Sequence, residues 1–224
     1  MIESIHWHEP TLPIYHYQEL ASTNPTAWQL FQQGKKPPFV VTADQQTDGK
    51  GQWGRKWASP LGGLYLSLIL APKIAIEQPS YLTISSVFGV TELLSYYQIP
   101  VQIKWLNDIF LNGKKLGGVL TETRIQNQQL KAVMIGIGIN WSNRVPEMGI
   151  ALRDYLLQSQ IEATFTPPTA LPRELNNQNL PQKITTLGDL KLIVLTGLLF
   201  GFDRYSQEGL STILPQYEAR LLSE

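Results

Sequence analysis

Gln45-Gln-Thr-Asp-Gly-Lys-Gly-Gln-Trp-Gly-Arg-Lys-Trp57 sets three glycines, Gly49, Gly51 and Gly54, among three cations, Lys50, Arg55 and Lys56. Glycine lets backbone N–H groups turn toward a common point, so with cations beside them the stretch reads as a cradle for an anion, in outline a phosphate or acyl phosphate. The element on the far side of the loop decides the fold. A Walker phosphate loop needs Gly-Lys and then Ser or Thr opening a helix, and Gly54-Arg-Lys-Trp57 fails that requirement. The glycines do have the spacing of a dinucleotide fingerprint, but the next element, Leu64 to Ala71, is an almost continuous apolar run, which reads as a central strand where that fingerprint needs a helix.

Upstream, Phe39 to Ala43 is short, apolar and β-rich and leads directly into the loop. Before it, Leu12 to Leu20 alternates as a first strand, and Ser22-Thr23-Asn24-Pro25 opens a helix in which Ala27, Leu30 and Phe31 recur at helical spacing up to Gly34. Taken alone, Ser22, Thr23 and Asn24 need do no more than cap that helix. Downstream, Pro79 to Tyr97 carries apolar residues at helical spacing. Gln102 to Lys104, Ile109 to Leu111, Leu116 to Glu122 and Leu130 to Asn140 read as strands joined by tight turns, the clearest at Asn112-Gly113. In the last strand Ile135, Ile137 and Ile139 face one way, and Gly136 and Gly138 leave the other face bare, for a ligand or for a closely packed neighbour. Arg144 to Thr185 is rich in proline and polar residues and reads as loop with a helical piece near Ile150 to Gln158; Leu187 to Tyr205 and Leu210 to Leu222 read as terminal helices. The expectation is an α+β fold: a mixed, largely antiparallel sheet with helices packed mainly on one face, in one domain spanning 1–224.

Composition removes several classes of function. With 43% apolar and 16% charged residues the 224-residue chain can bury a sizeable core. Eighteen basic against eighteen acidic residues leave no overall positive field, so a dedicated DNA binder is not expected. The absence of cysteine excludes disulfides, thiolate metal sites and a cysteine nucleophile. Met1 to Pro10 lacks the pattern of a secretion signal, and the longest apolar run, Leu192 to Phe202, is short of the roughly 20 residues of a membrane span, so a soluble cytoplasmic protein is expected.

A second set of chemical groups lies in Lys104-Trp-Leu-Asn-Asp108 and Lys114-Lys115-Leu-Gly-Gly118. Asp108 could hold Mg²⁺ against nucleotide phosphates, although a turn aspartate that satisfies its own backbone is the plainer reading. Lys114 and Lys115 would ordinarily be a solvated pair. Of the histidines, His6, His8 and His16, the first two have strand spacing but no evident third ligand, and no metal site is expected there.

Together, Ser22-Thr23-Asn24, Gln46-Thr47, Gly49 to Trp57, Ser59-Pro60, Leu64-Tyr-Leu-Ser67, Lys104 to Asp108, Lys115 to Glu122 and Gly136 to Asn140 resemble, in order and spacing, the catalytic domain of biotin protein ligases over Tyr15 to Asn140. The resemblance implies that biotin and ATP form biotinyl-5′-AMP and pyrophosphate, and that a lysine of a biotin carboxyl carrier protein, a subunit of acetyl-CoA carboxylase, then takes the biotin. On the matching positions, Ser22, Thr23, Asn24 and Gln46 would address the biotin head group. Lys50, Gly51 and Gln52 would close over biotin and the acyl phosphate, with Gly136 and Gly138 bordering the pocket. Gly49, Arg55, Trp57, Asn107 and Asp108 would serve ATP, Asp108 with Mg²⁺. Lys115 and Arg55 would be the catalytic cations. Lys50 stands where the family has arginine, and Leu106 where it has proline. The resemblance also implies that the family's winged helix and C-terminal β-barrel are missing. It leaves open a homodimer, a lipoate or octanoate ligase or transferase, and a biotin-binding module impaired in turnover.

Overall fold

Side-chain alternation sorts the apolar strands onto the two faces of one sheet. The computed structural model describes residues 12–72, 78–126, 129–168, 175 and 180–223; His6, His8 and the polar tract Asn176 to Asn179 lie outside them. In chain order the elements are β1 (Ile14–Leu20), α1 (Thr23–Gln32), β2 (Phe39–Gln46), β3 (Leu64–Leu70), α2 (Pro79–Tyr96), β4 (Val101–Lys104), β5 (Asp108–Leu111), β6 (Lys114–Gln126), β7 (Gln129–Ile139), α3 (Leu152–Ser159), α4 (Leu187–Glu208) and α5 (Leu210–Glu218). The strands form a seven-stranded sheet in the order β1-β2-β3-β7-β6-β5-β4. Only β1 and β2 run parallel; the other neighbours are antiparallel. The mixed, largely antiparallel α+β expectation holds.

Leu64, Leu66, Leu68 and Leu70 of β3 join Val133, Ile135, Ile137 and Ile139 of β7 in the larger core, beneath α2, α3, α4 and α5. The opposite face packs Ile69, Ala132 and Met134 against Ala27 and Trp28 of α1. Burying each such side chain stabilises the fold by about 1.5–3 kcal/mol, so slipping β3 by one residue would exchange its two faces and forfeit both cores. Above the larger core α2 and α4 touch backbone to backbone: a methyl on Gly89 would stand 2.0 Å from the Gly197 carbonyl oxygen, and one on Gly201 would stand 2.0 Å from that of Ser85.

Strand register prepares the site. Ser67 pairs with Gly136, which pairs with Leu120 on the far side. One step along, Tyr65, Gly138, Gly118 and Asp108 form a row across four strands. These rows share the α1 face, so the expected bare glycine face is found where α1 begins. The turn between β5 and β6 is Asn112-Gly113, both at positive φ (50° and 71°), as a two-residue hairpin requires.

Candidate active site

The glycine loop hangs from the end of β2 and folds back on itself. Gly51 N–H donates to Arg55 O (2.8 Å), Trp57 N–H to Gly49 O (2.9 Å) and Gln46 N–H to Ser59 O (2.9 Å). The tip, Gln52–Gly54, places Trp53 at φ 57° with 91% of its surface exposed. The Gly51 N–H is therefore spent inside the hairpin rather than turned to a ligand, while Lys50, Gln52 and Arg55 line the cleft. Gly49 is buried and serves close packing, because a Cβ there would meet Trp57 O at 2.4 Å and Ser59 Oγ at 2.5 Å; it is not among the residues of the cleft. Lys50 and Lys56 both reach Asp48, Lys56 at 3.5 Å. The Lys50 hydrogen bond and charge hold the Asp48 carboxyl below its usual range.

Beside the hairpin opens a cleft of about 330 Å³. One end is neutral and hydrogen-bonding. Thr23 N–H donates to Gln46 Oε1 (2.8 Å), Gln46 Nε2 donates to Ser59 Oγ (2.7 Å), and Ser67 Oγ lies 2.8 Å from Thr23 Oγ1 and 2.6 Å from Asn24 Oδ1. Ser22 occupies the N-cap position of α1, but its side chain makes no capping bond. Pro25 takes the third helical position and has no N–H to give, which removes one of the two usual capping donors. Ser22, Thr23 and Asn24 line the cleft instead. Gly136 and Gly138 are small because this end is crowded: a Cβ would meet Asn24 Oδ1 at 2.2 Å or Trp57 Nε1 at 2.4 Å.

The other end is cationic. Lys50, Arg55, Lys56, Lys104 and Lys115 all line the cleft, against one carboxylate, Asp108. Lys115 Nζ donates to Asp108 Oδ2 (2.7 Å) and lies 5.4 Å from the Trp57 ring centroid. Asn107 is buried; its Nδ2 donates to Val119 O (2.7 Å) and its carbonyl accepts from Val119 N–H (3.0 Å), so it ties the β4–β5 turn to β6. The turn is held from behind as well: Tyr217, fully buried in α5, donates its hydroxyl to Leu106 O (2.9 Å) and meets Trp105 edge-on. Trp57 Nε1 is buried without a hydrogen-bond partner.

Of the expected site residues, Ser22, Thr23, Asn24, Gln46, Lys50, Gly51, Gln52, Arg55, Trp57, Asn107, Asp108, Lys115, Gly136 and Gly138 meet in this one cleft. Ser67 and Tyr217 were not expected. A serine inside the apolar run of β3 is the signal that could have exposed Ser67; Tyr217 gives no local signal. Among the described residues no group of three or more His, Cys, Asp or Glu side chains converges on a metal position, and no helix is long and apolar enough to cross a membrane.

Comparison with known proteins matches this arrangement. The sequence profile of the biotin/lipoate A/B protein ligase family fits residues 17–140. The bifunctional ligase/repressor BirA of Bacillus subtilis is 38% identical over 143 residues, covering 63% of this chain and 44% of that protein. The biotin–[acetyl-CoA-carboxylase] ligase of Paracoccus denitrificans is 30% identical over 169 residues, covering 74% and 65%. The chain therefore spans less than two thirds of either relative's length. Among solved structures, the biotin protein ligase of Aquifex aeolicus in complex with biotin and ATP superposes with a TM-score of 0.65 at 26% identity, over 94% of this chain and 78% of that one. The Leishmania major biotin protein ligase in complex with biotinyl-5-AMP shares the fold, with a TM-score of 0.66 at 20% identity over 96% and 83%. With the glycine hairpin, the Lys104 to Asp108 turn and the glycine face of β7 all inside the matched stretch, which covers more than half of its length, the chain belongs to the biotin/lipoate A/B protein ligase family.

Proposed function

We propose that the protein is a biotin protein ligase: it joins biotin to ATP as biotinyl-5′-AMP and passes the biotin to a lysine of a biotin carboxyl carrier protein, in the cytoplasm. The observation that carries this reading is the two-ended cleft. Thr23, Asn24 and Gln46, the first two held from behind by Ser67, present neutral hydrogen-bonding groups at one end, and Lys115 and Arg55 present cations at the other. A neutral bicyclic urea with a carboxylate tail, meeting a triphosphate, has that same polarity. An octanoyl or lipoyl chain has no polar head group to hydrogen-bond with this end of the cleft, and so would make less use of it than a urea does.

In the first step a biotin carboxylate oxygen attacks the α-phosphorus of ATP; the new C–O–P linkage forms as the α–β phosphoanhydride bond breaks and pyrophosphate leaves. Lys115 and Arg55, both on the cleft wall, stabilise the charge that develops on the phosphoryl oxygens. In the second step the lysine nitrogen attacks the acyl carbon, the bond to AMP breaks, and the amine proton goes to solvent. Mg²⁺ binds through one or two carboxylates plus substrate phosphates, and the single half-buried carboxylate of Asp108 on the cleft wall fits that requirement. The ion would neutralise charge on the departing pyrophosphate.

Competition binding tests the choice within the family. Labelled biotin displaced by unlabelled biotin but not by lipoate or octanoate at the same concentration supports the proposal. Equal displacement by lipoate would transfer the assignment to lipoate.

A further inference from the structure

A second groove, of about 550 Å³, runs between α1 and β6 and opens into the first cleft; Lys50, Gly51 and Leu120 line both. Its remaining wall is Pro25, Trp28, Gln29, Gln32 and Glu122. Trp28 is buried and donates its Nε1–H to Glu122 Oε2 (2.8 Å), which fixes a carboxylate at the groove's edge. The Arg124 guanidinium is stacked 4.3 Å from the Trp28 ring centroid and 5.8 Å from that of Phe31. Lys50, on the shared wall, is turned to Asp48. The two openings therefore differ in charge: five cations against one carboxylate line the cleft, whereas in the outer groove Lys50 is matched by Glu122, the carboxylate held over the indole at its edge.

An anionic substrate is drawn to the strongly cationic first opening rather than to the balanced second one. A lysine side chain has the opposite preference, since its alkyl stem is apolar and its head is a cation. We propose that the acceptor lysine of the carrier approaches the acyl-adenylate through this groove, its stem lying along Trp28 and Leu120 and its ammonium drawn in by Glu122. This rests on the ligase reading above and adds to it a separate path for the second substrate, ending at Lys50 and Gly51, beside which the acyl phosphate would lie.

Two variants test it. Glu122→Gln removes the charge but keeps an acceptor for the Trp28 N–H, and Gln32→Lys sets a like charge in the exposed part of the groove without touching that bond. Three rates are measured for each: biotin-dependent pyrophosphate release, transfer to a carrier domain bearing its lysine, and capture of the adenylate by hydroxylamine, a small neutral amine. The proposal predicts a KM for the carrier raised on the order of tenfold in both variants, with pyrophosphate release and hydroxylamine capture unchanged. An unchanged carrier KM in both would overturn it, as would a parallel fall of all three rates, which would make these residues part of the first cleft. A wild-type chain that releases no pyrophosphate with biotin and ATP overturns the ligase reading itself, and the groove's role with it.

Discussion

Lys115 Nζ stands 2.7 Å from Asp108 Oδ2, so the cation assigned to the reacting carboxylate already holds a carboxylate of the protein. The pair is brought together by register, Asp108 facing Gly118, three residues beyond Lys115. A substrate carboxylate must share Lys115 with Asp108 or replace it. Asp108→Asn should therefore leave biotin affinity unchanged or tighter, and should raise both the Mg²⁺ concentration for half-maximal pyrophosphate release and the KM for ATP by about tenfold, the loss expected for one charge-assisted contact. Calorimetry with biotin and a Mg²⁺ titration of the reaction check the two halves.

Arg55 lies on the outgoing arm of the glycine hairpin and contributes to the hairpin's own bonding through its backbone alone: the carbonyl accepts from Gly51 N–H and the N–H donates to Gln52 O (3.1 Å). Arg55→Ala keeps both bonds. The variant should weaken ATP binding by about 1.5–3 kcal/mol and leave biotin nearly untouched; an equal loss of both affinities would mean that the hairpin itself had collapsed.

Gly136→Ala should act on the site more than on the fold. Its new methyl would stand 2.2 Å from Asn24 Oδ1, the atom that also meets Ser67 Oγ at 2.6 Å, so the asparagine has to move. Biotin affinity should fall at least about tenfold, the equivalent of one hydrogen bond, while adenine nucleotide binding changes little in parallel titrations.

Where two helix backbones touch, no side chain can yield. Gly89→Ala would drive its methyl to 2.0 Å from Gly197 O and 2.7 Å from Gly201 N, and α2 and α4 must separate. Urea unfolding should show a loss of about 3 kcal/mol or more, against a much smaller effect for Gly113→Ala, where nothing lies within 4 Å and only the positive φ is strained.

The start of α4 carries a capping box: Asp189 N–H donates to Thr186 Oγ1 and Thr186 N–H to Asp189 Oδ2. Burial works against the Asp189 carboxylate, but the hydrogen bonds donated by Thr185 and Thr186 outweigh it and hold its pKa below the ordinary value. The folded pKa being the lower one, the unfolded chain binds more protons, and the stabilisation is complete above the unfolded carboxyl pKa of about 3.9. It is lost as pH falls through the folded pKa. Asp189→Asn should accordingly lower Tm at neutral pH, and its gap from the wild type should narrow below about pH 4, as a series of thermal melts will show.

The strands were legible because their apolar runs and their alternation are long, and Asn112-Gly113 because only a narrow set of residues tolerates two positive φ angles. Ser22 stands where a helix is ordinarily capped, yet its side chain makes no cap bond; the proline three positions on, without an N–H, was a partial clue, since it removes one of the two usual donors. The loop's glycines suggested amides aimed at a ligand, whereas hairpin pairing had already claimed the Gly51 N–H, and such pairing between Gly51 and Arg55 has no signature in composition. Tyr217 supports Leu106 across 111 residues of chain. A contact of that range leaves no periodicity to read.

Rapid-quench measurement of adenylate formation from α-labelled ATP, with biotin and without any carrier, tests most directly whether cations from two distant segments act on one carboxylate. The wild type should form biotinyl-AMP to about one per chain, and Lys115→Ala should form it about 10²–10³-fold more slowly while still binding biotin. Adenylate formation at the wild-type rate in that variant would contradict the account.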